Sequence, residues 1–455
     1  MKLNFDFRQL LTEQMAAEEV ERLIEALATA PQPTSIRRNP LKPYTSPEGR
    51  AVSWCAEGCY LAERPSFTRD GHFQAGAYYV QEASSMFVGH LLREALGGDV
   101  EEGIRLLDMC AAPGGKSTLY SAMVGLRGVV VANEVIRSRA LTLADNITRW
   151  GAGNTVVTSN DPSHFAGSLE GWFDVVAVDV PCSGEGMFRK SEEARDNWSL
   201  DNVNLCVTRS RRIIADAWKA LREGGVMIFS TCTFNRRENE EQMEWLSEEF
   251  DCQHIEISCP EEWGIVRTKA GEAECFHFYP HLTEGEGLFA AVVRKGGEGS
   301  RRKAPKARKS PFAEVDKKIA RELAGYLTEE TSWHFATIGE SIYAYPENLW
   351  ADMRTVCEQM SVLFSGVKVG EMFGKKFKPD HSLALSAWLR KEAFATTELT
   401  EEDLLHFLRR EELSTPTALH EGLNLLLWEG QPVGFTKRIG ARTNSLLPKE
   451  WRIFM

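Results

Sequence analysis

The chain has 455 residues, 43% of them hydrophobic, with 65 acidic against 53 basic side chains and a net charge of −12. That length exceeds one hydrophobic core, so two or three domains are expected. The acidity argues against bulk attraction to nucleic acid while leaving room for local basic patches, and no apolar run approaches the roughly 18 residues of a membrane-spanning helix.

The opening MKLNFDFRQLLTEQ lacks the apolar core and cleavage site of a secretory signal, so a cytoplasmic location is the expectation. Apolar residues at helical spacing predict a helix over residues 10–28. A proline-rich loop, PQPTSIRRNPLKP, follows. Arg37 and Arg38, close to Lys42 and Tyr44, read there either as a solvated loop or as contacts to a nucleic-acid backbone and base. Residues 1–75 form an expected N-terminal extension. In AYYVQEASSMFVGHLLREAL, Ser84 or Ser85 signals a helix start and the helical pattern runs to Leu96.

From Ile104 strands and helices alternate, the mark of a mostly parallel, doubly wound α/β sheet. IRLLDMC, VVVANEV, TVVTSND, FDVVAVDV and VMIFSTCTF are the predicted strands in order. Helices are expected over 137–150, over 205–222 (closed by Gly224 and Gly225) and over 236–250, and a hairpin containing LFAAVVRK completes a domain over 76–296. Residues 297–311 read as a basic linker, broken by Gly and Pro, that is either a tether or an RNA contact. Over 312–455 a helix at 313–327 precedes mixed strands and helices. Next comes a basic stretch around Phe377 that counts His381. The tail of short strands turns at WEGQ and is lined by Lys437, Arg438, Arg442 and Lys449. A small β-rich binding module is the economical reading of this end. The 10 cysteines include no CxxC pair. Free thiols in a reducing compartment are therefore expected, and no metal site, although Cys252, His254, Cys275 and His277 could be imagined as one.

Chemistry concentrates at the predicted strand ends. In LDMCAAPGGKS a strand ends in an acid and enters a loop of small residues before a helix. The backbone there can approach a ligand closely, and the helix start supplies free amides. The spacing is neither GxGxxG nor GxxxxGK[ST], which disfavours dinucleotides and nucleoside triphosphates. Glu134 closes the second strand, where an acid suits ribose hydroxyls. Asp161 closes the third, suited to an adenine edge, and Asp179 closes the fourth. Together they outline an adenosine-containing cofactor across the sheet edge; the plainer alternative is that all three acids cap helices. Cys182 in DVPCSGEG and Cys232 in STCTF end the fourth and fifth strands and are expected to converge beside Asp179.

LDMCAAPGGKS, DVPCSGEGMF, FSTCTF and YYVQEASSM together resemble the Sun family of RNA cytosine-5-methyltransferases, closest to its bacterial branch acting on small-subunit ribosomal RNA. The resemblance is specific over about residues 30–296 and looser beyond, where the C-terminal end is similar in general character to a PUA domain. It implies a Rossmann-like methyltransferase domain with an N-terminal extension and a PUA-like RNA-binding domain. It also implies S-adenosyl-L-methionine as cofactor and RNA as partner, ribosomal or transfer RNA, with no membrane partner and a monomeric protein. In this reading Cys232 attacks C6 of cytosine, Asp179 holds a proton at N3, Cys182 assists release, and Lys116 contacts the base or orients Asp179. The cofactor set implied is Cys110, Ala111, Ala112, Pro113, Gly114, Gly115, Lys116, Ser117, Glu134, Arg139, Asp161 and Asp179. A methyltransferase for small molecules or proteins would leave the two cysteines and the extra basic region without a role. A catalytically silent RNA-binding factor would not need both cysteines and all three acids.

Overall fold

The structure, a computed structural model, describes residues 4–45, 49–98, 100–297, 299, 305–306, 310–374, 376–414 and 419–454. Four antiparallel strands, β1 (Thr34–Arg38), β2 (Gly49–Val52), β3 (Cys55–Leu61) and β4 (Tyr78–Val80), make an N-terminal sheet in the order β2-β3-β1-β4. The central sheet contains β5 (Ile104–Asp108), β6 (Gly128–Asn133), β7 (Thr155–Thr158), β8 (Phe173–Asp179), β9 (Leu221–Thr231), β10 (Cys252–Gln253), β11 (Val266–Ala270), β12 (Ala273–Phe278) and β13 (Leu288–Lys295). β5 to β9 are parallel in the order β7-β6-β5-β8-β9, and β13, β12 and β11 follow β9 antiparallel, as the predicted closing hairpin requires.

The sheet explains the apolar runs that announced it. Helices cover both faces, so successive residues of a strand enter different cores. Leu107, Val131, Val176 and Met227 belong to one buried cluster, and their neighbours Leu106, Val130, Val175 and Val226 to the other. With five strands parallel, their carboxyl ends all open on one edge, where a ligand site belongs.

β14 (Phe312–Glu314), β15 (Trp333–Ile338), β16 (Ser341–Pro346), β18 (Val367–Phe373) and β19 (Lys376–Pro379) form a third sheet, while β17 (Val362–Ser365) leaves them to pair antiparallel with β7. A last sheet joins β20 (Ala395–Glu398), β21 (Gly422–Trp428), β22 (Gln431–Ile439) and β23 (Arg442–Ser445). Glu429 and Gly430, both at positive φ, make the turn foreseen at WEGQ. The indole N–H groups of Trp388 and Trp451 donate to the Ala152 carbonyl and the Asp145 carboxylate, fastening the C-terminal region to the central one. No helix among the described residues is long and apolar enough to cross a membrane.

Several elements differ from expectation. The opening is two helices, Phe5–Thr12 and Ala17–Thr29, whose apolar faces fill one core; a single straight rod would carry half of that stripe away from it. The long helix is Leu200–Ala220, capped by Ser199, and Leu221 already pairs with Phe173, so Gly224 and Gly225 lie inside β9 rather than closing a helix. A Cβ on Gly225 would stand 2.9 Å from the Asp174 carbonyl, which is why the strand is glycine there. The charged helix starts only at Glu240, because side chains of Thr231 and Asn239 hold the preceding residues in a loop. Residues 313–327 divide into β14 and a short helix, Lys317–Ala324, that begins where Asp316 accepts the Lys318 and Ile319 amides. Near Ser84 the cap is Glu82, whose carboxylate accepts the amides of Ser84 and Ser85. The basic linker at 297–311 falls mostly outside the described residues, as does Lys375. His381 adds nothing to a basic surface: it is buried, and burial, then Arg149 and Lys42, push its pKa down to about 3.

The proline-rich stretch gives the largest correction. Arg37 lies on β1, fully buried, so it is neither solvated nor free to touch a phosphate. Its guanidinium donates to Gln81 Oε1 at 2.7 Å, Thr118 Oγ1 at 2.7 Å and the Gly115 carbonyl at 3.2 Å, and lies over the Trp150 ring. Lys42 is buried as well, its Nζ donating to the Ala75 and Arg149 carbonyls. Arg38 alone stays part-exposed, beside Glu57. Arg37→Met would leave the buried Gln81 and Thr118 acceptors without the guanidinium under the glycine loop, while the Gly115 carbonyl keeps the Thr118 hydroxyl. Its expected cost is about 2–3 kcal/mol, read as a lower melting temperature than the parent protein's; an unchanged melt contradicts the assignment.

Candidate active site

The glycine loop leaves β5 at Asp108. Asn133, at the end of β6, fixes the loop's first residues: its carbonyl accepts the Ala111 amide at 2.8 Å and its side chain donates to the Met109 carbonyl at 3.2 Å. Gly114 has φ 116°, a conformation that favours glycine, and delivers the chain into the helix Gly115–Val124 with its first amides facing the loop. A cavity of about 200 Å³ lies over it, lined by Cys110, Ala111, Ala112, Pro113, Gly115, Lys116, Asp108 and Asp179 and, from the N-terminal region, Tyr79 to Glu82 and Ser85. Asp108 is buried. Its Oδ2 accepts from Ser117 Oγ at 2.6 Å, while Oδ1 has no hydrogen-bond partner among the described residues. Burial raises its pKa to about 7 against the pull of Ser117 and Lys116. An unpartnered buried carboxylate oxygen beside a floor of small residues fits a ligand that brings its own donor, such as an amino group.

The three strand-end acids have different surroundings. Glu134 accepts the Ile136 amide through Oε1, and its Oε2 is 3.3 Å from Arg139, which also donates to the Ala112 carbonyl. Asp161 caps the helix Pro162–Ser168 by accepting the Ser163 amide and hydroxyl, and Arg212 stands 3.5 Å from its other oxygen. The Ser163 hydroxyl is the main cause of its lowered pKa. The capping alternative therefore describes Asp161 but not Glu134, since the helix Arg137–Trp150 has no side-chain cap, and both acids lie along the sheet edge outside the cavity lining. Asp179 makes no cap. Its Oδ2 accepts from Lys116 Nζ at 2.9 Å and its Oδ1 from Ser230 Oγ at 2.7 Å. Burial works against the Lys116 ammonium, but Asp179 outweighs it and holds the lysine pKa above its ordinary value.

The two strand-end cysteines converge. Cys182 Sγ and Cys232 Sγ are 3.3 Å apart at the ends of the paired strands β8 and β9. The hydrogen bond with Cys232, then burial and the neighbouring thiol's charge, raise the Cys182 pKa well above that of a free thiol. The chain returns close beneath: the Gly186 amide donates to the Cys232 carbonyl at 2.8 Å, and a Cβ at Gly186 would sit 3.0 Å from that oxygen. A thiol pair with an adjacent carboxylate–ammonium pair can supply a nucleophile and a proton carrier in one pocket.

Some residues around this pocket were not singled out as site residues. Gln81 and Glu82, inside the YYVQEASSM stretch, enter from another sheet, and Glu185, inside DVPCSGEGMF, with Asn235 and Glu238 are polar residues in loops whose burial only the fold creates. Asp108 did have a signal, as the acid ending the first strand.

Family models match along the chain: 16S rRNA methyltransferase RsmB/F over residues 97–294, the N-terminal domain of 16S rRNA methyltransferase RsmF over 3–83, and the methyltransferase RsmF PUA domain over 394–453. Ribosomal RNA small subunit methyltransferase F of Klebsiella pneumoniae is 32% identical over 412 residues, covering 88% of this chain and 84% of its own. The protein of that name from Citrobacter koseri is 32% identical over 451 residues, with 93% and 91% covered. Among solved structures, a methyltransferase homologue from Pyrococcus horikoshii has TM-score 0.51 at 26% identity, covering 64% of this chain and 100% of its own. NSun6 of the same organism, crystallised with SFG, has TM-score 0.53 at 19% identity, with 65% and 99% covered, and shares the fold.

Proposed function

The chain belongs to the RsmB/F family of 16S rRNA methyltransferases, and we propose that it methylates C5 of a cytosine in small-subunit ribosomal RNA through a covalent thiol adduct. As a family member it uses S-adenosylmethionine, which supplies an electrophilic methyl group. The observation that carries the finer reading is the pair of sulfurs 3.3 Å apart beside an acid bonded to a lysine. N-methylation or ribose methylation needs no thiol, whereas C5 of cytosine is too weak a nucleophile until a group has added at C6.

In this reading residues 110–117, with Glu134, Arg139 and Asp161 along the sheet edge, would hold the cofactor, and the Asp108 oxygen that has no partner among the described residues would accept from its amino group. The target base leaves its stacked neighbours and enters beside Asp179. Cys232 adds to C6 as the thiolate. Asp179 carries the proton that N3 takes up as electron density enters the ring, and Lys116, bonded to Asp179 at 2.9 Å, orients that carboxyl group rather than reading the base. Once the Cys232 sulfur is bonded to carbon it no longer charges or hydrogen-bonds as a thiol. The main cause of Cys182's raised pKa is then gone, and Cys182 can lose its proton to solvent. C5 of the adduct would take the methyl group that the cofactor supplies, with N3 returning its proton to Asp179; the Cys182 thiolate then takes the C5 proton, the electron pair re-forms the C5–C6 double bond, and Cys232 departs as thiolate. The PUA-like end adds RNA-binding surface beyond this pocket.

The test is incubation with methyl-labelled S-adenosylmethionine and either 16S ribosomal RNA or transfer RNA, followed by nucleoside analysis. Label in 5-methylcytidine from 16S RNA is expected; label only on ribose or a ring nitrogen, or none, overturns the proposal. Asp179→Asn is expected to lower kcat by about 10²–10⁴-fold with KM for the cofactor little changed. Loss confined to KM assigns Asp179 to binding instead.

A further inference from the structure

The residue following Cys182 is bonded to a buried carboxylate, Glu238, and the residue following Cys232 is linked to the same carboxylate through Asn235. Glu238 accepts the Ser183 amide at 2.8 Å and the Ser183 hydroxyl at 2.5 Å, and Asn235 Nδ2 donates to it at 2.6 Å. The same Asn235 amide donates to Thr233 Oγ1 at 3.0 Å and to Glu185 Oε1 at 2.8 Å, while its carbonyl accepts the Glu238 amide. Glu185 further accepts the Phe234 and Asn235 amides and the Trp198 indole. The hydroxyls of Ser183 and Thr233 lie 3.2 Å apart. Cys182 thus precedes one anchored residue and Cys232 the other, and Glu185 belongs to the loop that returns under Cys232.

This arrangement is costly as a folding device. Glu185, Asn235 and Glu238 are 0–2% exposed, and every hydrogen-bonding partner just named for the two carboxylates is a neutral donor. Apolar side chains of similar volume would hold the loops in the core at lower desolvation cost. What they would not do is fix both loops in one register at hydrogen-bond precision.

We propose that Glu238, acting through Ser183 and Asn235, is a positioning residue that holds Cys182 where it can take the C5 proton from the adduct on Cys232. The proposal rests on the two-cysteine reading above and adds the element that makes the division of labour possible. Burial and the facing Glu185 raise the pKa of Glu238 to about 7.

Single-turnover reactions with RNA and S-adenosylmethionine, following both the denaturation-resistant protein–RNA adduct and the methylated product, test this in Glu238→Gln, Ser183→Ala and Cys182→Ala. For Glu238→Gln the adduct is expected to form within about threefold of the parent rate and to decay at least ~10-fold more slowly, with KM for the cofactor within about twofold. Ser183→Ala, which keeps the backbone bond, is expected to shift the same ratio in the same direction by a smaller factor. A merely structural role slows formation and decay together; that result, or parent rates in both steps, overturns the proposal. If Glu238→Gln does not show a cooperative melt, Ser183→Ala decides by the same ratio. Accumulation of adduct in Cys182→Ala but in neither other variant sinks this inference alone. No accumulation in Cys182→Ala sinks the reading beneath it.

Discussion

Replacing Cys232 with alanine is expected to abolish methyl transfer, lowering turnover by about 10⁴-fold or more, and to leave no covalent protein–RNA species. The reason is that nothing else can take its place. Cys182 is 3.3 Å away, but it sits at the end of the neighbouring strand with its pKa raised. Asp179 and Lys116 are committed to each other. The substitution deletes one thiol hydrogen bond and little packing, so the melting temperature should change by only a few degrees, consistent with a cost of about 1 kcal/mol. Methyl incorporation into 16S ribosomal RNA and a denaturing gel measure both outcomes. Retention of more than about one hundredth of parent turnover rules out the covalent route through Cys232.

Cys182→Ala has the opposite signature. Attack by Cys232 does not require the second thiol, so the adduct should form; without a base at C5 it should then persist through denaturation, with multiple turnover reduced by about 10³-fold. A gel-shifted species that resists denaturant and disappears on nuclease treatment is the expected readout. If the variant releases methylated RNA at the parent rate, the base at C5 is another group. If Cys182→Ala prevents the adduct and Cys232→Ala accumulates it, the two roles are exchanged.

Much of the catalytic region was legible because its strands are buried on both faces and read as unbroken apolar runs. The strand ends could therefore be located within a few residues, and the acids and thiols standing there were visible as a set. The same rule misled where polar residues do the structural work. Arg37 in a proline-rich stretch has the composition of a solvated loop, yet the N-terminal sheet carries it under the glycine loop, where Gln81, Thr118 and Gly115 satisfy it. Gly224 and Gly225 read as a helix stop, although the positive φ of the first and the lack of room beside Asp174 at the second explain them within a strand as well. Glu82, as a helix cap, was masked by the serines that follow it.

By itself the sequence determined the alternation of strands and helices, the edge of the sheet on which a ligand belongs, the family, and which residue types could do chemistry there. These follow from local periodicity and from short motifs whose spacing is fixed by a turn. The meeting of Cys182 and Cys232 beside Asp179 was already expected from their strand ends, and tertiary structure set the distances, 3.3 Å between the sulfurs and 2.9 Å from Lys116 to Asp179. It left Asp108 with a free oxygen in the cavity and gathered Glu185, Asn235 and Glu238 behind the thiols. Distances between residues fifty positions apart depend on sheet order and register, and burial depends on everything packed around a group, so neither is written in any window of the chain.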